Sequence, residues 1–133
     1  MKIILDTNVF ISGIFFSGPP SQILHAWQKK DFQIVLSEQI LSEYKRVTDE
    51  ISYKYPHIDI APIIELVTIH GQLIDTKGIE ISICEDPDDD KFIECAITGK
   101  CEIIVSGDKH LLKLAGYKGI KILRPHEFVE QYL

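Results

Sequence analysis

Apolar residues in this chain fall into short runs of four or five, separated by longer stretches with helical spacing. "KIIL" (2–5), "FQIVL" (32–36), "EIIV" (102–105) and "IKIL" (120–123) read as strands. They are rich in β-branched residues and lack the in–out alternation of a half-exposed sheet, so they suit strands covered on both faces. Between them lie helical patterns. Ser21, after the turn "GPPSQ", is a candidate cap before Ile23, Leu24 and Trp27. Ser37 is a candidate cap for a helix carrying Ile40, Leu41, Tyr44 and Val47, a pattern that Pro56 breaks. A further helix is expected over Ala61 to Leu73, one from Pro87, a short one within "SGDKHLLKLAG" and a last one in "PHEFVEQYL". "DTN" (6–8) reads as a polar break, and residues 74–83, with "LID" or "IEISI" as possible strand, stay ambiguous. Alternating strands and helices imply parallel strands joined by crossovers, an α/β fold. No repeat or linker interrupts the pattern, so residues 1–133 read as a single domain.

The composition adds exclusions. With 45% hydrophobic and 26% charged residues the chain is typical of soluble globular proteins. No apolar run approaches the roughly 20 residues of a membrane span, and the opening "MKIILDTNVF" lacks the features of a signal peptide. A cytoplasmic protein with no membrane partner is expected. Cys84, Cys95 and Cys101 are odd in number and without C-x-x-C spacing, so they read as buried thiols, and the five histidines form no zinc pattern. The net charge of −6 disfavours broad electrostatic binding of nucleic acid unless cations intervene.

Candidate chemistry lies in the acids. In parallel sheets ligands sit beyond the carboxyl ends of the strands. Asp6 directly follows the first strand, Asp108 lies three residues after "EIIV", and Glu43 sits two turns into the helix after "FQIVL". Five acids also crowd the six residues from Glu85 to Asp90, at the start of the helix that precedes "EIIV". Asp86 suits an N-cap, Pro87 a first helical position, and Asp88 the positive end of the helix dipole. Asp89 heads the face bearing Phe92, Ile93 and Ala96, whereas Asp90 falls at its edge. Asp89 is therefore the expected inward acid and Asp90 the alternative. Carboxylates that converge repel unless protonated or bridged by cations, and an all-oxygen set suits Mg²⁺ or Mn²⁺. Independent caps and solvated carboxylates are the structural alternative.

Four motifs, "ILDTNVFISG", "LSEQILSEYKRV", "DPDDDKFIECA" and "IIVSGDKHLL", in this order, resemble the PIN domain family. The branch they resemble holds toxin components of toxin–antitoxin systems, relatives of the VapC toxins. The resemblance implies a three-layer α/β/α sandwich around a parallel sheet of order 3-2-1-4-5. It implies an Mg²⁺- or Mn²⁺-dependent endoribonuclease whose four acids, catalytic and metal-holding, are Asp6, Glu43, Asp89 and Asp108. Asn8 and Ser106 fall on its supporting polar positions. It further implies an RNA substrate, an antitoxin partner and a homo-oligomer, a dimer. The chain departs from the pattern at Glu85, where relatives often carry a base, and at His110, where they often carry Asp; the first makes the mouth of the site more acidic. Two other readings compete. A non-catalytic RNA-binding or regulatory module would not need the four acids. Another Mg²⁺-dependent phosphoryl hydrolase of the haloacid-dehalogenase kind would need a second Asp where Asn8 stands.

Overall fold

A computed structural model describes all of residues 1–133. Its elements run β1 (Lys2–Leu5), α1 (Thr7–Phe15), α2 (Pro19–Gln28), β2 (Gln33–Ser37), α3 (Glu38–Ser52), α4 (Ala61–His70), β3 (Gln72–Ile74), α5 (Asp90–Thr98), β4 (Ile103–Val105), α6 (Lys109–Leu112), β5 (Lys121–Leu123) and α7 (Pro125–Tyr132). Single 3-10 turns occupy Pro87–Asp89 and Tyr117–Gly119. The five strands form one parallel sheet in the order β3-β2-β1-β4-β5, with helices on both faces. This is the three-layer α/β/α sandwich.

The sheet is dry because its central strands carry nothing polar. Ile3, Ile4, Ile34, Val35, Ile103, Ile104 and Val105 have no exposed surface. Each such side chain, fully buried, is worth about 1.5–3 kcal/mol against leaving it in water. α5 lays Phe92, Ile93, Cys95 and Ala96 on the sheet, and all four are buried. On the helix side, Phe10 stacks on Tyr44 at 4.2 Å, tying α1 to α3. Cys95 and Cys101 are buried and Cys84 half-buried; burial pushes their thiols up to about 12, 11 and 12, so none is a ready nucleophile. No helix is long and apolar enough to cross a membrane.

Four expectations need correction. "DTN" is no break: Asp6 is the N-cap of α1, accepting from the Val9 amide at 2.8 Å, and the helix starts at Thr7. α2 begins at Pro19 with Gly18 as cap, not at Ser21, because two prolines fit the first helical positions, where no amide hydrogen is needed. α4 stops at His70, and residues 72–74, assigned in part to that helix, form edge strand β3. Gly71 makes this junction possible: a Cβ there would lie 2.5 Å from the Val67 carbonyl and from Leu36. Finally, α5 starts at Asp90 rather than Pro87, the preceding turn being 3-10.

Candidate active site

The chain crosses β1 in mid-sheet, builds β2 and β3 on one side, then returns to build β4 and β5 on the other. The strand order reverses between β1 and β4, where a crevice opens at the carboxyl ends. Asp6 leaves β1 there, its amide donating to the Val105 carbonyl at 3.0 Å, and Ser106 leaves β4 beside it.

A cavity of about 210 Å³ opens at this point, lined by Asp6, Thr7, Asn8, Glu43, Val47, Asp89, Phe92 and Asp108. It is smaller than the roughly 300–1,000 Å³ of a typical ligand pocket, so it suits an ion and its water rather than a nucleotide. Four carboxylates from four segments thus share one wall-to-wall space, and Asn8 stands exposed at its rim.

Each acid is held differently. Asp6 is 5% exposed. One oxygen caps α1, and the other accepts from the Ser106 hydroxyl. Ser106 also accepts from the Asp108 amide at 3.0 Å, which couples the two strand ends. Asp108 caps α6 by accepting from the His110 amide at 2.9 Å, so its cap role and its place at the cavity coexist. Glu43 extends from α3, whose start is capped by Ser37. The neighbouring Tyr44 pins that helix, its hydroxyl donating to the Leu5 carbonyl one residue before Asp6. Glu43 itself accepts from the Thr7 hydroxyl on one oxygen and from Lys91 Nζ at 3.0 Å on the other.

Asp89 and Asp90 divide two tasks. Asp90 is 7% exposed, and its Oδ1 accepts from the Cys84 amide at 3.0 Å and the Ile83 amide at 3.2 Å. One turn on, Glu94 accepts from the Ile81 amide at 3.0 Å. These two acids anchor the irregular segment 79–84 to α5. Asp89, at the end of the 3-10 turn, lines the cavity. Burial works against ionised Asp90, but the Cys84 and Ile83 hydrogen bonds hold its carboxyl below the usual range. Asp89 goes the other way: burial first, then the Asp108 and Asp86 charges, push it up to about 6. Asp6 is also raised, by burial and then by Asp108 and Glu43, against the lowering effect of its hydrogen bonds. Both acids resist ionisation first because they are buried and then because like charges stand nearby.

Sequence reasoning missed two features. Lys91 is 8% exposed, with Nζ 3.0 Å from Glu43 and 2.9 Å from Asp88 Oδ2. Its i,i+3 spacing from Asp88 is visible in the sequence, but its burial is not. The other feature joins the two departures noted above: Glu85 Oε2 lies 2.7 Å from His110 Nδ1. Both are exposed, so the pair adds little stability, but Glu85 faces an imidazole instead of standing alone.

As the side chains stand, no three His, Cys, Asp or Glu residues are grouped tightly enough to hold a metal ion. Both oxygens of Asp6 and both of Glu43 accept from protein donors. The donor set still fits a hard divalent cation, being all oxygen, with Asp6 and Asp89 raised in a way that a positive charge would reverse. A wider trough of about 920 Å³ flanks Glu43 on the α3–α5 side. Glu38, Glu43, Glu80, Asp88, Asp90 and Glu94 outnumber Arg46 and Lys91 there, which makes it a poor seat for a polyanion.

The sequence profile of the PIN domain family matches residues 2–110. The chain belongs to the PIN domain family. Members of this family are generally nucleases, a hydrolase activity that usually employs divalent metal ions. An uncharacterized protein of the archaeon Methanocaldococcus jannaschii is 30% identical over 145 residues, covering 99% of this PIN domain chain and 92% of the relative. Among solved structures, the T. brucei RRP44 PIN domain aligns with 96% of this chain and 78% of its own, at 16% identity and a TM-score of 0.47.

Proposed function

We propose that this PIN domain protein is a divalent-metal-dependent endoribonuclease. The observation that carries the reading is the convergence of Asp6, Glu43, Asp89 and Asp108, from four segments, on one small cavity at the switch point of the sheet. Asp6, Asp89 and Asp108 would hold Mg²⁺ or Mn²⁺, with Glu43 in the same cluster. When bound, such an ion draws charge from the scissile phosphate and makes a water acidic enough to attack at neutral pH. The chain's own contribution is geometric. Ser106 fixes Asp6 and the start of the Asp108 segment relative to each other, and Tyr44 fixes α3 against β1. Asn8, exposed at the rim, would donate to a phosphate oxygen or a water. Attack by water on phosphorus would break the P–O3′ bond, with O3′ leaving and taking up a proton, which gives a 5′-phosphate and a 3′-hydroxyl.

The reading extends to biology through the sequence resemblance: a toxin component, restrained by an antitoxin protein, acting on RNA in the cytoplasm as a homodimer. A non-catalytic module is the rival, and the engagement of both Glu43 oxygens by Thr7 and Lys91 is the observation in its favour. Calorimetric titration with Mn²⁺ separates the two. The nuclease reading expects saturable binding at up to millimolar Mn²⁺, lost in Asp6→Asn. Absence of binding in the wild type favours the rival.

A further inference from the structure

Lys91 is the buried cation in contact with the acids of the site, whereas the exposed Arg46 reaches Glu43 only at 4.0 Å, and its position is unusual for a lysine. Its side chain is 8% exposed. Taking an ammonium out of water is costly unless it is paired and its donors are used, and an apolar residue of similar volume often serves stability equally well. Here the donors are used in a particular way. Nζ reaches Glu43 Oε1 at 3.0 Å, Asp88 Oδ2 at 2.9 Å and the Asp88 carbonyl at 2.6 Å. Burial disfavours its charged form, but Asp88 and Glu43 more than offset that. These contacts join two pieces of chain that each contribute an acid, Glu43 and Asp89, to the lining of the cavity. Glu43 belongs to α3, and Asp88 precedes Asp89 in the 3-10 turn. Thr7, at the start of α1, grips the other Glu43 oxygen. Glu43 is therefore held between α1 and α5, and the turn bearing Asp89 is held to Glu43 through one ammonium.

We propose that Lys91 is a positioning residue of the acid site: by gripping Glu43 and Asp88 together it sets the spacing between the wall that carries Glu43 and the turn that carries Asp89. Lys91 itself is not among the residues that line the cavity. The inference rests on the cation-site reading above and adds a residue to it.

The direction of one measurement separates positioning from simple charge. If Lys91 acted only as a nearby positive charge, replacing it by a neutral residue would tighten cation binding, because like charges repel. If it sets geometry, the same replacement weakens binding. Partners that orient metal ligands typically contribute about 10–100-fold in affinity. Lys91→Met keeps an unbranched chain and removes the ammonium. Mn²⁺ titration of wild type, Lys91→Met, Glu43→Gln and the double variant, with thermal melts of each, forms a cycle. The expected result is Mn²⁺ binding about tenfold weaker in Lys91→Met, little further loss when Lys91→Met is added to Glu43→Gln, and partial rescue in Lys91→Arg. Unchanged or tighter binding in Lys91→Met overturns the inference and leaves the cation site standing. Losses that add fully in the double variant also overturn it, because Lys91 would then act independently of Glu43. Absence of Mn²⁺ binding in the wild type overturns the cation site and this inference with it. If Lys91→Met does not fold, Lys91→Arg and Lys91→Gln carry the same comparison.

Discussion

Asparagine at position 89 is expected to lower the rate of RNA cleavage by about 10²-fold or more, the effect of losing several kcal/mol of transition-state stabilisation. Asparagine at position 90 is expected to act on stability instead. Asp90 serves the Ile83 and Cys84 amides and is not among the residues lining the acid cavity. Asn can still accept from those amides, but without charge, so a loss of about 1–2 kcal/mol follows. Cleavage rates corrected for folded fraction, alongside denaturant melts, check both halves. A larger rate loss at 90 than at 89 would mean that the acid turned towards the chemistry is the helical one and not the one in the 3-10 turn.

The second large effect concerns the protein without metal. Burial, then the Asp108 and Asp86 charges, push Asp89 up to about 6 from an ordinary 3.8, and Asp6 is raised as well. For such acids the folded state binds more protons than the unfolded chain between the two values, so stability falls as pH rises through that window. The stabilising contribution is present below about 4 and gone above about 6 for Asp89. Asp88 and Asp90, both lowered, contribute in the opposite sense, so the comparison must be made between proteins. In EDTA, Asp89→Asn and Asp6→Asn are expected to melt above the wild type at pH 7, by roughly 3–6 °C if relief of repulsion amounts to about 1 kcal/mol. The advantage of Asp89→Asn should vanish at pH 4. Saturating Mn²⁺ should reverse the order at pH 7, because the wild type gains more by mass action than variants lacking a ligand. Melts at both pH values with and without Mn²⁺ check this. Identical melting of all three in EDTA at pH 7 would mean that the acids do not share a field.

What the sequence disclosed and what it hid follow from the same residues. The strands were legible because both their faces are buried, which leaves a continuous apolar run at 3–5, 34–36 and 103–105. The Ser37 cap was legible because its side chain does one local task. The sequence places Asp6 directly after a strand and among the candidate acids, and gives no sign of the helix it starts. Asp6 does two tasks at once, capping α1 and facing the cavity, and either alone accounts for an Asp after a strand. The α4 to β3 junction was hidden because the apolar pattern runs on past His70, and only the Val67 carbonyl packed against Gly71 shows where the chain turns. For the site, strand-end logic brought Asp6 and Asp108 to one edge, and the helical wheel favoured Asp89 over Asp90. The wheel assumed α-helical geometry where the turn is 3-10, and it said nothing of the backbone amides that occupy Asp90. Lys91 was invisible for a general reason: a buried ion pair between segments 48 residues apart leaves no local pattern.

The central claim is that these carboxylates form one metal-dependent site that hydrolyses RNA. The most direct test incubates purified protein and an Asp6→Asn preparation with end-labelled RNA, in Mn²⁺ and in EDTA, and reads the product termini. The account predicts internal cleavage by the wild type in Mn²⁺ alone, leaving 5′-phosphate and 3′-hydroxyl ends, with Asp6→Asn inactive throughout. Cleavage undiminished by EDTA and equal in Asp6→Asn, or products ending in a 2′,3′-cyclic phosphate, would contradict it.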